Sequence, residues 1–217
     1  MEHRPEFSTA EAAYLASACL ASDATSAPSI QDVLLRVAVA PSAATAPVTE
    51  RAVNKAIEEQ VVSSATAAGG RLDEGVVLYL ASARRLEGVR LSRDAKARLY
   101  GALRDWRGPD SRTWRWEIGP SLYFTPGRDL GRWRSLLRAY VRDRDRYIHR
   151  DPAIMGGAPV IRGTRISVHA VLARLTGGDG IEDLIADYLE VPRAAFEAAA
   201  IHARTHPRRG RPVRRLR

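Results

Sequence analysis

The sequence predicts a mainly α protein with short β hairpins and with helix-turn-helix-like N-terminal and C-terminal units. Three observations predict it. Apolar residues recur at helical spacing through most of the 217 residues, in segments opened by capping residues. The period falls to two near residues 113–125, where aromatic and charged residues alternate up to a turn. Close to the C-terminus, three short helical stretches are joined by tight turns, which is how a helix-turn-helix reads. A hydrophobic fraction of 45% supplies enough apolar surface to offset the ordering entropy, so disorder over the whole length is excluded. Cys19 is the only cysteine, which excludes an intramolecular disulfide framework.

The first helix opens at Phe7-Ser8-Thr9-Ala10-Glu11. Ser8 and Glu11 have the spacing of a capping box, and Phe7 stands at the staple position. The helix is expected to run to about Ser17, with Ala12, Ala13, Leu15 and Ala16 available for packing. From about Leu20 to Val48 the chain is rich in Ala, Ser, Thr and Pro. Residues 29–37 within it have the pattern of a short helix, and the flanks around Pro28, Pro41 and Pro47 that of loop. Thr49 stands as the cap of a helix from Glu50 to about Gln60. Its apolar residues Ala52, Val53, Ala56 and Ile57 share one face, which leaves Arg51, Asn54, Lys55 and Glu58 outside it. A short alanine-packed helix followed by one displaying Arg, Asn and Lys reads as a helix-turn-helix, so Arg51, Asn54 and Lys55 are candidate DNA-binding residues.

After Gly69-Gly70 a helix is expected from Asp73 to about Leu86, carrying Val76, Val77 and Leu80. Ser92 caps another, with Leu99, Leu103 and Trp106 aligned along it. Trp114, Trp116 and Ile118 alternate with Arg115 and Glu117, and Gly119-Pro120-Ser121 turns into Leu122-Tyr123-Phe124; this is a hairpin. Its aromatics either cover a small core, the preferred reading, or stack on bases. A helix from Asp129 to about Arg144 places Trp133, Leu136, Leu137, Tyr140 and Val141 on one stripe. Arg134, Arg138, Arg142 and Arg144 line the other side.

The chain carries 34 Lys+Arg against 25 Asp+Glu, a net charge of +9. Lys55 and Lys96 are its only lysines, so 32 of the cations are arginines. A GC-rich coding bias would produce this, and so would selection for guanidinium forks that pair bidentately with phosphates and carboxylates. Residues 1–83 hold 5 cations and 10 acids, residues 84–146 hold 17 and 8, and residues 147–203 hold 5 and 7. Residues 204–217 hold 7 cations and no acid. Two basic blocks on a mildly acidic protein suit a polyanion or an acidic protein surface as partner. For the middle block, solvated helix faces are the preferred reading.

No window reaches the roughly 18 apolar residues of a membrane span. Leu15-Ala16-Ser17-Ala18-Cys19 has the look of a lipoprotein processing site, but Glu2, Glu6 and Glu11 precede or begin the apolar run, which is too short. Cys19 reads instead as a small core-facing residue on a helix, and a cytoplasmic location is expected. His3, His149, His169, His202 and His206 have no metal-ligand company at a suitable spacing. There is no P-loop, nucleophile elbow or dinucleotide fingerprint. Neither enzymatic activity nor a metal or cofactor is expected.

From Tyr147 the sequence becomes more specific: Ile148-His149-Arg150-Asp151-Pro152-Ala153-Ile154-Met155-Gly156-Gly157-Ala158-Pro159-Val160-Ile161-Arg162-Gly163-Thr164-Arg165-Ile166. Two short extended segments are joined by a glycine turn. Gly156 and Gly157 allow positive φ, Pro159 leads into the second segment, and Gly163-Thr164-Arg165 turns towards a helix near Val168. That helix runs to Leu175 and stops at Gly177-Gly178. A second runs from Ile181 to Tyr188, and a third from Pro192 to about Thr205.

This stretch strongly resembles a small bacterial antitoxin-like domain, domain of unknown function 433, whose hallmark run is complete here from Ile148 to Ile166. Leu189 stands where that family usually places a proline. The region before it resembles the N-terminal half of VapB-type antitoxins, through Ser8-Thr9-Ala10-Glu11-Ala12-Ala13 and Arg51-Ala52-Val53-Asn54-Lys55-Ala56-Ile57-Glu58-Glu59. About 30 residues separate the two helices here, where a standard helix-turn-helix has roughly three or four. Residues 1–146 then form a helix-rich N-terminal domain, residues 147–206 the antitoxin-like domain, and residues 207–217 an Arg-rich tail.

The resemblance implies an antitoxin that neutralises a cognate toxin, a PIN-domain ribonuclease, and represses its own operon by binding operator DNA. It implies structural roles for Gly156, Gly157, Pro159, Gly163, Thr164 and Arg165. Arg208, Arg209, Arg211, Arg214, Arg215 and Arg217 of the tail suit the acidic metal site of such a nuclease or operator phosphates, and a merely solvated end remains a third reading. A stand-alone DNA-binding regulator is the alternative function. A homodimer is compatible with paired half-site reading, as is a hetero-oligomer with the toxin.

Overall fold

Helices carry the structure, as the periodicity predicts. The computed structural model describes residues 6–23, 48–62, 71–86, 88–106, 115–125 and 128–208, which hold eight α-helices and three two-stranded antiparallel sheets. They divide into two units, 6–142 and 143–208. The expected short helix at 29–37, Gly69-Gly70, Trp114 and the tail beyond Arg208 lie outside the described residues.

The first unit begins with β1 (Glu6–Phe7) and α1 (Thr9–Asp23). The capping box forms: Glu11 N donates to Ser8 Oγ at 3.2 Å and Ser8 N to Glu11 Oε2 at 2.8 Å. Phe7 is fully buried at the staple position. Glu11 is buried too, because Tyr140 Oη donates to its other carboxylate oxygen at 2.7 Å. One acid thus caps α1 and satisfies a core phenol. The helix runs past the expected end at Ser17, since Ala18, Cys19 and Leu20 are buried and packing outweighs the turn-like composition that follows. Cys19 faces the core, as expected. Strand β2 (Leu72–Asp73) pairs with β1, a contact of two residues that no alternation in the sequence announces.

Helices α2 (Glu50–Glu58), α3 (Glu74–Arg85) and α4 (Arg93–Asp105) follow. Asp73 caps α3 by accepting from Val76 N at 3.1 Å, and Ser92 caps α4 by accepting from Ala95 N at 3.2 Å. Helices α3 and α4 approach closely at Gly75, where a Cβ would stand 2.7 Å from Arg104 Cα. Trp106 ends α4 in an extended conformation instead of continuing it, and is buried. The hairpin forms from β3 (Trp116–Gly119) and β4 (Leu122–Phe124), with a bulge between Glu117 and Gly119. It packs on α4 and buries Ile118, in line with the core-covering reading. Trp116 stacks on Phe124 at 5.7 Å between ring centroids, and the Arg115 guanidinium lies 4.6 Å over Tyr123.

Helix α5 (Arg128–Tyr147) buries the expected stripe of Trp133, Leu136, Leu137, Tyr140 and Val141. Arg134 corrects the expectation of an outward arginine row. It is buried, ion-paired with Glu74, donates Nη1 to Trp106 O at 2.8 Å and stacks 5.4 Å over the Trp106 ring. Arg144 is also largely covered, and pairs with Asp145 at 2.8 Å. Other cations of the block are neutralised on the surface, Arg85 by Asp129 at 3.1 Å and Lys96 by Glu59 at 2.7 Å. So the middle block is partly an ion-pair network, and its net charge overstates its free charge.

The second unit starts with the last turn of α5. Strands β5 (Ile148–His149) and β6 (Val160–Ile161) pair antiparallel, Ile148 opposite Ile161. Helices α6 (Val168–Thr176), α7 (Ile181–Asp187) and α8 (Arg193–Thr205) follow. Pro192 is the residue before α8, not its first turn. Helix α8 is buried from Ala195 to Ala203 and packs on α6, α7 and β6.

Candidate nucleic-acid interface

A helix that reads DNA must be held rigidly while one face stays clear. Helix α2 meets both conditions. Val53 and Ala56 are buried, while Arg51, Asn54 and Lys55 are exposed on the opposite side. These three side chains have the chemistry of base-edge recognition: arginine and lysine donate to guanine O6 and N7, and asparagine pairs bidentately with adenine.

What seats α2 on α1 is Ser17. Its hydroxyl accepts from Val48 N at 2.9 Å, and it lies 3.3 Å from Val48 O and 3.0 Å from Ala13 O. The start of α2 is therefore tied to the middle of α1 although 26 residues separate the two helices in sequence. Thr49 occupies the N-cap position but its hydroxyl makes no cap bond, so the latch replaces the cap the sequence suggested. Nothing in the sequence singled out Ser17, because a serine inside an alanine-rich helix has many uses. Ser17→Ala should leave the Val48 N–H without its partner and cost about 1–2 kcal/mol. Hydrogen exchange should show it as faster exchange confined to residues 48–58; unchanged protection there would refute the latch.

Beside α2 lies a cleft of about 420 Å³ walled by α3 and α4, with Lys55, Glu59, Arg84 and Lys96 among its polar lining. The Lys96 ammonium holds the Glu59 carboxyl below the usual carboxylate range, with Lys55 adding to it. Tyr79 in the wall is pushed up to about 12 by burial, so its hydroxyl stays neutral.

The second unit offers a different surface. Helix α8, which would be the reading helix of a C-terminal helix-turn-helix, is buried from Ala195 to Ala203. Helix α7 exposes Glu182, Asp183 and Asp187 and carries no basic residue. Arg174 pairs with Asp179 at 2.5 Å and with Asp187 at 2.7 Å; Arg193 pairs with Glu182 and, at 2.8 Å, with Glu197. These arginines tie the three helices together.

The motif residues do backbone work. Gly156, Gly157 and Gly163 have φ of 65°, 81° and 77°, in the left-handed region. Met155 precedes them at φ 50° and is exposed, so the turn is left-handed over three residues. Pro159 O accepts from Val168 N at 3.0 Å. Thr164 Oγ1 donates to Ile161 O at 2.8 Å and accepts from Ile166 N at 3.0 Å, which closes the turn. Arg165 is exposed. Arg162, not singled out from the sequence, donates Nε to Arg146 O at 2.9 Å and Nη2 to Asp145 O at 3.4 Å, satisfying carbonyls at the end of α5. Gly163→Ala has room for the methyl but pays the left-handed penalty, about 1–2 kcal/mol. Faster hydrogen exchange across residues 147–176 checks this.

Of the Arg-rich tail, only Pro207 and Arg208 are described. Arg208 Nη2 lies 3.4 Å from Ser167 Oγ, the cap of α6, and His169 Nε2 lies 2.8 Å from His206 O. The root of the tail is thus held beside the motif. His202 and His206 stack at 4.2 Å between centroids. No helix of the described residues is long and apolar enough to cross a membrane.

Within the second unit, residues 148–203 match a family model described as Protein of unknown function (DUF433). A curated relative, "Uncharacterized protein y4eO" of Sinorhizobium fredii (strain NBRC 101917 / NGR234), is 37% identical over 60 residues, 28% of this chain and 27% of that protein. The chain spans about a quarter of the length of that relative. No solved structure matches.

Proposed function

We propose that this chain is an antitoxin of a type II toxin–antitoxin system, which silences a cognate PIN-domain ribonuclease and represses its own operon by binding DNA. The observation that carries the DNA half is α2, latched to α1 by Ser17 with Arg51, Asn54 and Lys55 exposed together. The acidic α7 and buried α8 favour this first unit over the second as the one that meets DNA. The toxin half rests on the likeness of the Ile148–Ile166 motif to antitoxin-like domains. The arginine tail rooted at Ser167 supports it, since guanidinium groups pair with the carboxylates that hold a nuclease metal.

Co-expression with the product of the adjacent gene tests the proposal. Restored growth and co-purification are the expected results. No rescue, together with specific binding to its own promoter, would leave the stand-alone regulator as the function, a reading the exposed α2 residues favour equally.

A further inference from the structure

Leu189, in the turn between α7 and α8, is 84% exposed, and Tyr188 beside it is 39% exposed. Single apolar residues are common on protein surfaces, but this one is held in place. Tyr188 N donates to Leu184 O at 3.1 Å and Val191 N to Tyr188 O at 2.9 Å, and Val191 is buried. The Tyr188 ring lies 6.3 Å from that of Phe196, which is fully buried. Leu189 is therefore a fixed apolar knob, and burying it against a partner costs little ordering entropy.

A cleft of about 370 Å³ opens beside the knob. Tyr147, Ile161, Val191 and Pro192 are its apolar lining, Arg146 and Arg162 its cations, and Glu190 stands on its wall. Arg146 lies 5.2 Å over the Tyr147 ring, and Arg162 donates to two carbonyls. Those contacts orient the guanidinium groups without cancelling their charge. Among the described residues neither arginine has a carboxylate within ion-pair distance, Glu190 included, although all three line one cleft. The acids of α7 are met elsewhere, Glu182 by Arg193 and Asp187 by Arg174.

Such a cleft suits a short segment in which an apolar side chain is followed by a carboxylate. Leu189-Glu190 is a segment of that kind, and it stands exposed at the rim. Knob and cleft share one corner of the chain, so two copies about a two-fold axis can each give the knob and receive it. We propose that this corner is the contact between two copies of the chain, in which Leu189 of one protomer enters the cleft of its partner and Glu190 meets the guanidinium groups there. Each dimer then contains the contact twice. The inference draws on the second unit alone and holds whether or not α2 reads DNA.

Sedimentation velocity of the full chain over a concentration series tests it. The wild-type chain should reach at least twice the mass of one chain at micromolar concentration. Glu190→Arg and Arg146→Glu should each halve the mass of the assembly, since each symmetric dimer then sets like charges together twice. Mixing the two variants should restore the wild-type mass, because the introduced arginine faces the introduced glutamate and the second contact is the native one. Leu189→Ala should weaken self-association about tenfold or more with an unchanged thermal midpoint, since an exposed side chain carries little of the fold. Arg162 is left intact, because its bonds to carbonyls hold the end of α5. A wild-type chain that sediments as one chain at every concentration would overturn the proposal. So would an unchanged mass in both charge variants, or variants of native circular dichroism that stay apart when mixed.

Discussion

Arg134→Ala is expected to destabilise the first unit by about 3 kcal/mol, the cost of breaking a buried ion pair by removing one partner. The variant strips Glu74 of its buried partner and leaves it only Arg138, 3.4 Å away on the surface. It also orphans the Trp106 carbonyl and removes the guanidinium from the Trp106 ring. Arg134→Lys retains the charge but cannot reach Glu74 and Trp106 O with one planar fork, so an intermediate loss is expected. All four tryptophans precede Asp143, so tryptophan fluorescence during urea unfolding reports on this unit. A loss below about 1 kcal/mol, the scale of a surface pair, would mean that the ion pair is solvated.

Replacing Arg51, Asn54 and Lys55 together by alanine is expected to lower affinity for the upstream duplex by a hundredfold or more. Each good base contact supplies about 1–3 kcal/mol of discrimination. All three side chains are exposed, so the thermal midpoint should barely move. Asn54→Ala alone should relax specificity. Operator affinity preserved in the triple variant would remove α2 from the interface.

Much of the helical framework was legible because it rests on local rules. The capping residues Ser8 and Ser92 are short-range signals, and each accepts the expected backbone bond, whereas Thr49 does not, and Asp73 and Ser167 cap their helices without having been singled out. The stripe of α5 and the glycine turn of the motif were legible for the same reason: period and positive φ belong to the segment itself. The β1–β2 pair was not, since two residues cannot display a period. Nor was the length of α1, where burial carried the helix beyond its local pattern.

The candidate site divides along the same line. Helical spacing placed Arg51, Asn54 and Lys55 away from the apolar face of α2 without any fold, because 3.6 residues per turn is a property of the helix alone. Whether an arginine of α5 was surface or core was beyond that logic: Arg134 sits among arginines of like spacing, and only the arrival of Glu74 and Trp106 buried it. Ser17 became a latch for the same reason, when Val48 came back to α1 across the intervening chain. The sequence alone determined a mainly α protein with short hairpins and the faces its helices present. The tertiary structure decided which polar groups those faces meet, because ion pairs and side-chain hydrogen bonds between distant residues depend on how the elements pack and not on the period of any one of them.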